Sequence, residues 1–279
     1  MKKTLTIAGS DSSGGAGIQA DIKTMGALGV FGMSVITAVT SQNTRGVTYI
    51  EELSTKSIIT QIEAIYDDTA PDAVKSGMLF SKDIIEAVSD VLKSRNKSPY
   101  ILDPVMVAAS GAKLLKDDAV SYMVENLFPL AYVVTPNIPE AELLSGMKIE
   151  NQEHIDTACR QIKELGPQNV IIKGGHFNGE ESVDTLFDGE NYYEISAKRI
   201  NSKNTHGTGC TYSSAICSYL ALGFNLLDAV KYAKQYITSA IIYGADMNIG
   251  SGSGPVNHFF ESTRNNNDGT ISFGSCTCG

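Results

Sequence analysis

Short apolar runs alternate with stretches of helical spacing along the 279 residues, and nearly every run ends on glycine or a polar residue. Thr4 to Ala8 leads into a glycine loop, Gly9 to Gly17, and then into a helical stretch over 18–28. Met33 to Val39 is a second β-like run. Ile58, Ile59, Ile62, Ile65 and Tyr66 follow helical spacing within 55–68. Ala73 to Lys75 is a short strand, and Ser81 stands where it can cap a helix that puts Ile84, Ile85, Val88, Val91 and Leu92 on one face. Further strands are Tyr100-Ile101-Leu102, Ala131 to Val134 and Val170-Ile171-Ile172. Asp188-Gly189 reads as a primed hairpin turn, and a long last helix carries Leu226, Val230, Ala233, Ile237 and Ile241. Strands alternating with helices predict an α/β fold, a central and mostly parallel sheet with helices on both faces. Such sheets bind ligands beyond the carboxyl ends of their strands. The polar and glycine signals fall at those ends: Gly9 to Gly17, Gln42, Ser76-Gly77, Asp103, Asn137 and Lys173.

Composition excludes several functions. With 22 Lys+Arg against 31 Asp+Glu the net charge is −9, and no basic run exists to hold a phosphate backbone, so nucleic acid is not an expected partner. No stretch approaches the roughly 20 apolar residues of a membrane span. The five cysteines, at 159, 210, 217, 276 and 278, are an odd number and form no disulfide framework in a chain of this size. A reduced, cytoplasmic protein is expected. The core reads as one domain over 1–260, and the Gly/Asn/Ser-rich stretch 261–279 reads as a loose tail.

Asn204-Thr205-His206-Gly207-Thr208-Gly209-Cys210-Thr211 precedes a helical run, Tyr212 to Leu222. Glycine-exposed N–H groups at a helix start form an anion site, which a transferring phosphoryl group requires. Cys210 lies at that helix start, where a thiol pKa is lowered, so it can take a proton from a substrate hydroxyl. Read alone, the segment is equally a glycine turn around a small buried cysteine. The loop Gly9 to Gly17 matches neither the Gly-x-Gly-x-x-Gly fingerprint nor a P-loop. Glu140, three residues after Asn137, is either a first-turn carboxylate or a position for hydrated Mg2+. Asp103, before Pro104, is either a turn former or a second carboxylate near that metal. Lys173, at a strand end, is either solvated or aimed at phosphate. His176 and His206 are isolated and lack zinc spacing, and Cys276 and Cys278 alone do not make a metal site.

Taken together the segments resemble the hydroxymethylpyrimidine/phosphomethylpyrimidine kinases of thiamine biosynthesis, within the ribokinase-like superfamily. The matching runs include Leu5 to Asp11, Ser13 to Asp21, Gln42 to Val47, Gly77-Met78-Leu79, Asp103 to Met106, Thr135-Pro136-Asn137, Lys173 to His176, Lys203 to Thr211 and Gly254 to Phe259. The resemblance implies transfer of the ATP γ-phosphate to 4-amino-5-hydroxymethyl-2-methylpyrimidine and then to its monophosphate. It implies that Gln42 hydrogen-bonds the aminopyrimidine, that Ala16, Met78 and Val105 line its pocket, and that Gly207, Thr208, Gly209 and Cys210 form the anion hole. Cys210 would replace the Asp base of the sugar kinases. Asn137, Glu140 and Lys173 would lie on the ATP–Mg2+ side, with Glu140 and Asp103 as metal positions. A homo-oligomer, a dimer, is also implied. The alternatives are a pyridoxine/pyridoxal kinase of the same fold and a non-catalytic nucleotide-binding sensor.

Overall fold

The inner strands are short and almost wholly apolar, as a sheet covered on both faces demands. The computed structural model describes residues 1–107, 114–115, 118–175 and 179–262. His176, Cys276 and Cys278 lie outside the described residues, as does all but the start of the expected tail. In chain order the elements are β1 (Lys3–Asp11), α1 (Gly17–Ala27), β2 (Phe31–Asn43), β3 (Gly46–Glu52), α2 (Thr55–Asp68), β4 (Ala73–Ser76), α3 (Lys82–Arg95), β5 (Tyr100–Leu102), α4 (Ala119–Asn126), β6 (Val133–Val134), α5 (Ile138–Ser145), α6 (Gln152–Glu164), β7 (Val170–Ile172), β8 (Glu181–Phe187), β9 (Tyr192–Lys198), α7 (Thr208–Ala221) and α8 (Leu226–Gly244). The sheet order is β3-β2-β1-β4-β5-β6-β7-β8-β9. From β2 to β7 every pairing is parallel, and β3, β8 and β9 add antiparallel edges.

The period-two alternation of strands divides the core. Ala73, Ile101, Val133 and Ile171 pack with Tyr212, Ile216, Val230 and Ile237 of α7 and α8. Their neighbours Val74, Leu102, Val134 and Ile172 pack on the other face with Ile58, Ile85, Met123 and Ile162 of α2, α3, α4 and α6. The expected layers are therefore the observed ones. Sequence spacing missed β3, which continues from β2 through a tight turn at Thr44 and Arg45. It also missed α4 and α6. Two local expectations change. Ser81 stands at the N-cap of α3 but makes no cap bond; its hydroxyl donates to Glu52 instead. The β8–β9 connection spans 188–191 and is not a two-residue primed turn. The Asp188 carboxylate accepts the N–H groups of Glu190 (2.8 Å) and Asn191 (2.7 Å) and closes it.

The strand order reverses at β1, which has β2 on one side and β4 on the other. A crevice forms beyond the strand ends at such a point. Directly beneath it lies a buried ionic knot. Lys75 of β4 donates to both oxygens of Asp21 of α1 at 2.9 Å, and neither side chain is solvent-exposed. Asp21 also accepts from Thr6 of β1 (2.6 Å) and Ser214 of α7 (2.7 Å). Burial opposes the lysine charge, but Asp21 outweighs it and holds the Lys75 pKa above the ordinary value. Removing one partner strands a buried charge, at a cost of about 3–5 kcal/mol. Asp21→Ala should therefore lower unfolding stability by about that amount in urea denaturation. The double variant Asp21→Ala/Lys75→Met should recover part of the loss; a double variant as unstable as the sum of the singles would show that the two side chains do not act as a pair.

Candidate active site

Two glycines let the first loop and the start of α7 approach each other. Gly17 (φ 56°) packs under the Gly9 carbonyl, and Gly207 (φ 80°) lies against the Gly15 carbonyl, so a Cβ on either would overlap the facing oxygen. Gly207 is the N-cap of α7 and supplies no side-chain cap. The first-turn N–H groups of a helix have no acceptor four residues back, so this end presents partial positive charge. Asn204 anchors the preceding loop by bonding the Gly244, Ala245 and Met247 carbonyls at the end of α8.

A cavity of about 750 Å3 opens here, and all twelve site residues expected from the sequence line it. Ala16, Gln42, Met78 and Val105 form one end; Gly207, Thr208, Gly209 and Cys210 form its middle; Asp103, Asn137, Glu140 and Lys173 form the next wall. Beyond them the cavity continues between Ala197 to Ile200 and the α8 residues Ile237, Thr238 and Ile241.

Lys173 donates to Asp103 Oδ1 at 2.9 Å, and Asp103 also accepts from Thr135 (3.1 Å) and Ser213 (3.2 Å). Lys173 is thus not a solvated lysine, and Asp103 is a buried partner rather than a turn former. Burial opposes both charges, yet Lys173 and Lys75 hold the Asp103 carboxyl below the usual range. Asn137 and Glu140 form a capping box on α5: Asn137 Oδ1 accepts the Glu140 N–H (2.9 Å) and Glu140 Oε2 accepts the Asn137 N–H (2.8 Å). Glu140 is both a first-turn carboxylate and part of the cavity wall. Burial, with Asp103 adding, pushes its carboxyl up to about 7 despite Lys173.

Cys210 departs from expectation. The helix start and Lys75 favour a thiolate, but protein closely surrounds the sulfur, and this desolvation pushes the thiol up to about 11. Burial wins because the neighbouring charges Asp21 and Asp103 also oppose ionisation.

Sequence reasoning assigned no site role to four residues that shape the site. Lys75 and Asp21 read as an ordinary strand end and helix position. Asp11 binds the glycine loop, accepting from Ser13 N (2.8 Å), Ser13 Oγ (2.7 Å), Gly15 N (3.1 Å) and Ala16 N (2.8 Å). His206, isolated in sequence, meets Asp11 at 2.8 Å and the Gln42 amide at 3.2 Å. Nothing local could reveal a contact across 195 positions.

A glycine-bounded anion site, a Lys–Asp–Glu wall and a glutamine-edged pocket in one cavity define a phosphoryl-transfer arrangement. The sequence model of the phosphomethylpyrimidine kinases matches residues 11–257. The chain belongs to this family. It is 48% identical over 256 residues to the hydroxymethylpyrimidine/phosphomethylpyrimidine kinase of Rhizobium meliloti, covering 91% of this chain and 96% of that protein. It is 51% identical over 254 residues to the thiamine biosynthesis bifunctional protein ThiED of Geobacter sulfurreducens; these are 91% of this chain but only 51% of that protein. Among solved structures, phosphomethylpyrimidine kinase of Clostridium difficile superposes with TM-score 0.78 at 49% identity, covering 86% of this chain and 100% of that one. An ADP complex of Bacillus subtilis pyridoxal kinase superposes with TM-score 0.87 at 38% identity, covering 94% and 99%. The family's ribokinase-like α/β architecture is the one expected. Among the described residues no helix is long and apolar enough to cross a membrane.

The raised Cys210 thiol has a direct consequence. Alkylation requires the thiolate, so labelling of Cys210 by iodoacetamide should keep rising about tenfold per pH unit from pH 7 to above 9. Peptide-resolved mass spectrometry of the ligand-free protein separates Cys210 from the other cysteines. A plateau below pH 9 would mean a depressed thiol pKa.

Proposed function

We propose that the protein is an ATP-dependent kinase that phosphorylates 4-amino-5-hydroxymethyl-2-methylpyrimidine and then its monophosphate, a cytoplasmic step of thiamine biosynthesis. The observation that carries this reading is the single cavity. It joins the pocket edged by Gln42 to the start of α7 and then to the space between Ala197 to Ile200 and Ile237 of α8, about 750 Å3 in all. Ala16, Met78 and Val105 would hold the pyrimidine faces, and Gln42 offers the donor and acceptor that an aminopyrimidine edge complements. The hydroxymethyl group would then sit beside Cys210, with the γ-phosphate on the N–H groups of Gly207 to Cys210. The nucleotide base would occupy the apolar slot against Ile237 and Ile241.

Most of the work falls to positioning and charge stabilisation, because phosphoryl transfer runs through a loose transition state. The start of α7 stabilises charge on the transferring group, and Lys173 adds a cation beside it. With its pKa near 11, the Cys210 thiol is protonated in the ligand-free protein at neutral pH. It can act as base only once its own proton has left to solvent; the hydroxyl proton would then pass to the sulfur as the oxygen–phosphorus bond forms and the bond from the γ-phosphorus to the β–γ bridging oxygen breaks. The acidic wall suits Mg2+: two buried carboxylates lie beside Lys173, and Mg2+ takes one or two carboxylates plus phosphates and water. Glu140 and Asp103 would hold it, and when bound it supplies neutralisation of phosphate charge.

The superposition on pyridoxal kinase favours a second reading, kinase activity on a hydroxymethylated pyridine. ADP release from ATP, measured with each alcohol in turn, separates the two. The proposal fails if pyridoxal supports turnover and the pyrimidine does not.

Cys210→Ala should lower kcat by about 10²–10⁴-fold while changing the KM for ATP little. Near-normal turnover would remove Cys210 from the chemistry and leave the backbone N–H groups alone. Gln42→Ala should weaken pyrimidine binding by about 1–3 kcal/mol and spare ATP. Equal rises in both KM values would indicate damage to the fold instead.

A further inference from the structure

Gln42 stands at the end of β2 between two polar neighbours. As placed, its amide oxygen lies 3.1 Å from Thr40 Oγ1 and its amide nitrogen 3.2 Å from His206 Nε2, the reverse of the orientation the neighbours favour. The amide can take two orientations that differ by a half-turn, and its neighbours choose between them. Here two neighbours choose independently.

The first is His206. Its Nε2 lies 2.8 Å from Asp11 Oδ2. Asp11 accepts four other hydrogen bonds, from Ser13, Gly15 and Ala16. Burial alone would raise its carboxyl, but these bonds and His206 bring it down to about 2. Asp11 is therefore a pure acceptor, and Nε2 must carry the proton between them. A protonated Nε2 has no lone pair for an amide N–H; it attracts a carbonyl oxygen. The second neighbour is Thr40. Its one hydroxyl hydrogen is best placed on the shorter of two contacts, the Ser10 carbonyl at 2.9 Å rather than Gln42 at 3.1 Å. Toward Gln42 the Thr40 oxygen can then only accept.

We infer that Asp11 and His206, with Thr40, fix the Gln42 amide with its oxygen toward the imidazole and its nitrogen toward Thr40, making His206 a specificity-determining positioning residue of the pocket. The amide then offers the cavity an acceptor on the His206 side and a donor on the Thr40 side. The matching ligand edge carries a donor followed by an acceptor. In an aminopyrimidine these are the exocyclic amine, turned toward His206, and the adjacent ring nitrogen, turned toward Thr40. The 4-oxo analogue carries a carbonyl beside a ring N–H and meets like against like at both places. A free amide would turn over and accept either ring; a held amide rejects one. This selection rests on the pyrimidine reading above, whereas the held orientation stands without it.

Two measurements test the inference. The first uses the ligand-free, isotope-labelled full chain and observes the Gln42 side-chain NH2 by NMR. Nuclear Overhauser contacts to the Thr40 methyl group are expected; contacts to the His206 ring in their place would overturn the orientation whatever the protein phosphorylates. The second compares kcat/KM for the 4-amino and 4-oxo pyrimidine alcohols. The wild-type protein should prefer the amino compound by at least about tenfold. In His206→Ala, where Thr40 alone still biases the amide, that preference should fall severalfold, chiefly through KM for the amino compound. His206→Asn, which keeps an N–H donor, should restore part of it. A preference unchanged in His206→Ala, or lost equally in His206→Asn, would overturn the positioning role. If the wild-type protein phosphorylates neither pyrimidine, the substrate reading fails, and the NMR measurement alone still decides the amide orientation.

Discussion

Four elements meet at one buried ion pair. Asp21 accepts from Lys75, Thr6 and Ser214, and so ties α1, β4, β1 and α7 together where the strand order reverses. An isolated charge there would be very costly, because the interior cannot solvate it. Four hydrogen bonds to a single carboxylate make the burial tolerable. Through Ser214 the same carboxylate holds α7 to the sheet.

Charge is distributed unevenly along the cavity. Lys75 is matched by Asp21 and Lys173 by Asp103, each at 2.9 Å. Glu140 has no lysine of its own, and its carboxyl is pushed up to about 7. The far end is different in kind. There the Gln42–His206–Asp11 chain spends its hydrogen bonds on orientation, and the glycine loop is held by the same carboxylate that holds the imidazole. One end of the cavity is lined by paired charges, and the other by a chain of hydrogen bonds.

Much of this was legible before folding was considered. Val74, Ile101, Val133 and Ile171 sit in runs too apolar for a one-sided sheet, and the polar residues that end those runs form the cavity rim. Glu140 was expected in the first turn of a helix, and it stands there, closing a capping box with Asn137 on α5. What escaped notice had no local signature. β3 lies on the sheet edge, and its Gly-Val-Thr-Tyr-Ile-Glu-Glu run is neither continuously apolar nor strictly alternating. Ser81 has the right identity for a cap but finds a better acceptor in Glu52, which is distant in sequence.

The sequence by itself determined the layers, the strand ends that carry the chemistry and the family. These follow from periodicities and motifs that act within a few residues. The tertiary structure alone decided the protonation and pairing of the site. Cys210 looks activated at a helix start, and it holds its proton because packing removes water from around the sulfur. His206 looks isolated, and it orders the pocket because Asp11 and Gln42 are brought to the same ring nitrogen. Desolvation and hydrogen-bond partnership depend on which distant residues fill the surrounding space, and no spacing rule along the chain records that.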